Sequence, residues 1–120
     1  MTYPPKLHEV PGWARWNCLT YALWAWRRWG GYLVIRRSML GAMYNLPPWH
    51  PMQWVPHFLA QPHGRERTHL GPSDEQRERD SAGHWSLFWL RLWRIPEPRV
   101  IVGDYECAAA RGAGIPVLER

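Results

Sequence analysis

Residues 17–31 read Asn-Cys-Leu-Thr-Tyr-Ala-Leu-Trp-Ala-Trp-Arg-Arg-Trp-Gly-Gly. Asn17 has the short side chain that caps a helix N-terminus, and Gly30-Gly31 is a C-terminal stop. Between them, Cys18 to Trp29 contains no Gly or Pro. Arg27 and Arg28 fall in the last turn, where cations suit the helix dipole. The pattern predicts a helix over 18–29, which Trp13 and Trp16 could extend backwards by a turn. Leu19, Leu23 and Trp26 share one face, and Cys18, Ala22, Ala25 and Trp29 share a neighbouring one. A helix apolar on nearly every side is either central to the core or covered by a partner.

Outward from this helix the chain turns to strands. Pro4, Pro5 and Pro11 make residues 1–12 an extended lead-in. Residues 32–38 alternate as a strand, with Leu33 and Ile35 on one side. Residues 41–51 are a loop rich in Pro and aromatics. Residues 53–61 form a second strand, which Pro56 either confines to an edge or delays in starting. The segment 62–83 is polar and mixed in charge, and is expected to be a mobile loop inside the domain. Residues 85–95 are expected as a third strand, although Trp85, Phe88, Trp89 and Leu92 also fit helical spacing. Residues 99–102 then pair back as a short fourth strand. The expectation is α+β: one buried N-terminal helix on a small antiparallel sheet of three to four strands. A single domain spans 1–106, and 107–120 is a flexible tail or an arm for a neighbour.

The 120 residues suffice for one core, and hydrophobic residues at 46% make disorder throughout a poor reading. Tryptophan is the anomaly, with ten against two Phe and five Tyr. So short a chain cannot hide ten indoles, each with large apolar area and an N–H that needs a partner. Trp is also enriched at the centres of protein interfaces. The candidate contact residues are Trp24, Trp29, Trp49, Trp54, Trp85, Trp89 and Trp93, with Arg28, Arg36 and Arg37 beside them. The formal charge of +5 comes almost wholly from Arg, Lys6 being the single lysine. Arg interleaved with Trp, as in Trp26-Arg27-Arg28-Trp29, could stack on bases, but no recognised nucleic-acid motif accompanies it and nucleic acid is not the expected partner. Nor is a membrane: the longest apolar stretch, 18–26, is too short to span one. The N-terminus lacks the layout of a signal peptide, so synthesis in the cytoplasm is expected.

Cys18 and Cys107 lie far apart and show no disulfide or zinc-knuckle spacing. A thiol at a helix N-terminus is favoured as thiolate, and an imidazole on an adjacent strand can serve as its base. Cys18 with His57 satisfies that pattern. Gln61, His63, His69 and His84 are the candidates to orient His57. The equal intervals of His57, His63 and His69 raise zinc ligation, but they straddle a strand and a polar loop, and neither a metal nor another cofactor is expected. Asp104 and Glu106 could act as a carboxylate pair, but read better as solvated.

The run Asn17-Cys18-Leu19-Thr20-Tyr21-Ala22-Leu23, a strand, and then Pro56-His57-Phe58-Leu59 resembles the core of papain-like peptidases of the NlpC/P60 and CHAP type. That resemblance implies Cys18 as nucleophile and His57 as base, acting on cell-wall peptides. The chain departs from the NlpC/P60 pattern in having Asn17 where an Asp usually precedes the Cys. The stretch 24–38, ending Trp29-Gly30-Gly31-Tyr32-Leu33-Val34-Ile35-Arg36-Arg37-Ser38, resembles small tail-tip-associated proteins of long-tailed phages. It implies a structural subunit assembled into the virion, docked through Trp and Arg onto hub, distal tail or central fibre proteins, with a degenerate papain-like core.

Overall fold

The computed structural model describes residues 2–37, 47, 49, 56–72, 98–105, 112, 114 and 117–120, with Arg37 and Pro72 described for their backbone. The helix predicted over 18–29 forms as α1, Cys18–Trp29. Asn17 accepts a hydrogen bond from the Thr20 backbone N–H at 3.0 Å, and Thr20 Oγ1 accepts one from the Asn17 N–H at 3.1 Å. This reciprocal cap satisfies donors that the first turn would leave orphaned. At the other end Gly30 takes φ +72°, and its N–H donates to the Trp26 carbonyl at 2.9 Å. Trp13 and Trp16 do not lengthen α1; Gly12–Arg15 is a separate 3₁₀ turn.

Five strands follow, all paired antiparallel: β1 Tyr32–Arg37, β2 Pro56–Gln61, β3 Arg67–Pro72, β4 Pro98–Gly103 and β5 Val117–Glu119. Their order in the sheet is β4-β3-β2-β1-β5. The α+β expectation therefore holds, with a strand more than expected. β2 is central, so Pro56 marks the start of the strand and not an edge.

Two expectations are corrected. The segment 62–83 is not a loop throughout: 67–72 is β3, an inner strand. Thr68 and Leu70 are wholly buried and alternate with Arg67 and His69, so the period-2 pattern is present, although a single large apolar residue carries it. The tail 107–120 is not loose at its end: β5 pairs Val117 with Val34, and the Arg120 N–H donates to the Gly31 carbonyl at 2.7 Å. The fourth expected strand exists, but it pairs with β3. The strand expected at 85–95 lies outside the described residues.

The core divides between the two faces of the sheet. On one face Tyr21, Trp24 and Ala25 of α1 pack with Val10, Ala14, Ala60 and Leu70. The Tyr21 hydroxyl and Thr68 Oγ1 lie 2.8 Å apart, so the buried polar atoms satisfy each other. Burial pushes the Tyr21 phenol up to about 12, against the opposing effect of the Thr68 hydrogen bond. On the other face Val34 and Leu59 pack with Tyr32 and Val117. Gly31, at φ +84°, stands so close to the Gln61 carbonyl and the Pro62 backbone that no Cβ fits.

Candidate functional site: the outward face of α1

The sheet separates the two residues of the candidate dyad. Cys18, a thiol, opens α1 in the layer on one side. His57 leaves β2 on the same side as Leu59, two residues on, which faces away from α1. The two are therefore not brought together. His57 Nε2 instead lies 2.8 Å from His69 Nδ1, with the rings nearly perpendicular. Of the residues that could orient His57, His69 meets it. Gln61 is buried; His63 sits in the β2–β3 turn against the Tyr32 ring and near Glu119; His84 is outside the described residues. Two of the equally spaced histidines thus meet while His63 stands apart, and among the described residues no three His, Cys, Asp or Glu side chains gather as a metal site would need. Asp104 is exposed; Glu106 and Cys107 are outside the described residues.

The expected contact residues divide similarly. Trp24 is a correction: at 8% exposure it belongs to the core. Trp29 is half-buried at the end of α1, with its ring edge-on to Trp24 at 5.3 Å. Trp49 is 75% exposed and Arg28 is exposed. Arg36 is half-buried and stands opposite His57 in the β1–β2 register. Trp54, Trp85, Trp89, Trp93 and the Arg37 side chain lie outside the described residues.

The helix itself supplies a surface that the list of contact residues missed. Its buried side chains are Tyr21, Ala22, Trp24 and Ala25. Leu19 and Leu23, one turn apart, are therefore on the side turned from the sheet, and Leu19 is exposed. Just upstream of α1, Trp13 at 56% and Trp16 at 46% are two more exposed apolar side chains. Trp13 belongs to the 3₁₀ turn Gly12–Arg15 and Trp16 follows it, and the extended backbone of Asn17 separates both from α1; what they share with Leu19 is exposure, not helical spacing. The segment is electropositive: Arg15, Arg27 and Arg28 are exposed, Arg27 lies one turn beyond Leu23 on the outward face, and 12–29 contains no Asp or Glu. Leu19, Leu23 and Trp26, expected to share a face, were expected under cover; Trp26 does pack against the core, its Nε1 donating to the Gly31 carbonyl at 3.2 Å.

Among the described residues, no helix is long and apolar enough to cross a membrane. Comparison with protein-family models, curated proteins and solved structures finds no match for this chain.

Proposed function

We propose that this chain is a structural, accessory subunit that docks onto a larger protein assembly through the outward face of α1. The observation that carries the reading is the exposure of Trp13, Trp16 and Leu19 within seven residues at the N-terminal end of α1, a helix whose opposite face already rests on the sheet. An ordinary surface helix puts polar groups there. Large indoles flanked by Arg are the side chains that dominate interface energetics when a partner desolvates them. With Arg15 and Arg27 exposed and no acidic residue within 12–29, the complementary surface is apolar at its centre and acidic at its rim. Exposed apolar side chains suit a protein better than a phosphate backbone, which rewards cations throughout.

The resemblance to tail-tip-associated proteins names the assembly: a phage tail, with hub, distal tail or central fibre proteins as partners, and the chain made in the host cytoplasm and carried into the virion. The test is direct binding of the purified chain to each of those subunits from the same phage, by titration calorimetry and co-elution. A stoichiometric complex is expected with one of them. Leu19→Glu and Trp16→Glu, both exposed and outside the core, should abolish it. Binding by none of the three, or binding indifferent to both substitutions, would sink the reading.

A further inference from the structure

The last residue of α1 lines a cleft away from the outward face of the helix. Trp29, Tyr3, Tyr105, Arg65, Glu66 and Thr2 are among the residues lining an open cleft of about 690 Å³. That is within the roughly 300–1,000 Å³ of small-molecule clefts. Its aromatic wall is braced from behind. Trp29 meets Trp24 edge-on at 5.3 Å, and Tyr3 meets Trp29 edge-on at the same separation. Both tyrosines are tied by their hydroxyls to the β2–β3 turn: Tyr3 donates to the Glu66 carbonyl, and Tyr105 donates to the Gly64 carbonyl at 3.2 Å. Burial, reinforced by Tyr21, pushes the Tyr3 phenol well above the usual tyrosine range despite Arg65, so it keeps the proton it donates. Both rings are thus fixed to the backbone of that turn at the wall of the cleft.

The polar groups decide the ligand class. Arg65 offers donors, Glu66 acceptors and Thr2 both. The two charges are of opposite sign and adjacent in sequence, so the cleft favours neither an anion nor a cation. A cationic ligand meets a further obstacle, because the Arg65 guanidinium already lies 5.2 Å from the centre of the Tyr3 ring. A neutral molecule with flat C–H faces for aromatic contact and many hydroxyls for mixed donors and acceptors satisfies every wall. Openness along the surface suits a segment of a longer chain. We infer that this cleft binds a neutral saccharide, with a sugar ring against Trp29 or Tyr105 and hydroxyls bonded to Arg65, Glu66 and Thr2. The inference stands independently of docking by α1, since it uses none of Trp13, Trp16 or Leu19.

The test follows the Trp29 indole N–H resonance of the full chain, assigned with Trp29→Phe, while maltohexaose, cellohexaose or chitohexaose is added to about 10 mM, above the millimolar affinity of a shallow site. A choline salt and a proline-rich peptide serve as rival probes. One glycan should shift the resonance saturably and leave Trp13 and Trp16 unmoved. Tyr105→Ala and the conservative Glu66→Gln should each weaken that binding about tenfold. Because Glu66 is exposed, the second variant remains informative where the first disturbs the fold. No shift with any glycan, a shift only with choline or the peptide, or glycan binding unaltered in Glu66→Gln would each overturn the inference.

Discussion

Asn17 closes the first turn of α1 through two reciprocal hydrogen bonds with Thr20. Asn17→Ala removes the acceptor and should cost about 1 kcal/mol, read as a lower urea midpoint with an unchanged slope. Gly31→Ala is expected to cost more than that, because the new Cβ meets backbone at Gln61 and Pro62 and no rotamer relieves it. Tyr21 sets an alkaline limit. Its folded pKa of about 12 lies above the ordinary 10, so the folded state holds the proton more tightly. The stability it contributes is complete below pH 10 and is lost as pH rises towards 12. Tyr21→Phe should lessen the loss of stability across that window, the buried phenol of Tyr3 contributing the rest, although the Thr68 hydroxyl it strands lowers stability at neutral pH; an unchanged alkaline slope would exclude Tyr21 as a cause. At this scale the sequence was legible where a residue acts on near neighbours, as at Asn17 and Gly30. The pairing of Tyr21 with Thr68, 47 residues on, left no local trace.

Among the elements, β3 and β5 were the hardest to see and are the most informative to probe. β3 has one large apolar residue, Leu70, and reads as loop by composition, yet it lies between β2 and β4. Its amides should exchange as slowly as those of β2. Fast exchange at Thr68 and Leu70, with β2 protected, would contradict the inner position of β3. β5 is three residues long and covers the free edge of β1. Removing 117–120 uncovers that edge and takes Val117 away from Val34; lower stability and concentration-dependent association are the expected results, read by melting and light scattering. By contrast α1 and β1 were legible, because each is long or sharply punctuated by Gly, whereas Pro56 left two readings open, an edge strand or a delayed start. A strand stabilised mainly by its neighbours carries little signal of its own.

For the whole molecule, the question is how so much indole is accommodated. The described structure answers in part: Trp24 enters the core, Trp26 and Trp29 lean on it, and Trp13, Trp16 and Trp49 stay at the surface. Acrylamide should therefore quench a substantial share of the fluorescence of the isolated chain. That share should fall in Trp13→Phe/Trp16→Phe and, for the unaltered chain, on docking. The sequence by itself determined the helix and both its stops, the antiparallel α+β class, and the surplus of Trp that requires surface exposure, because these follow from local sterics, spacing and the ratio of apolar area to chain length. Only the tertiary structure decided which face of α1 met the sheet. It also placed Cys18 and His57 on different faces, joined His57 to His69, and gathered Tyr3, Trp29, Arg65 and Tyr105 around one cleft. Those outcomes depend on strand order and on the parity of residues in paired strands, which are set by contacts between segments distant along the chain.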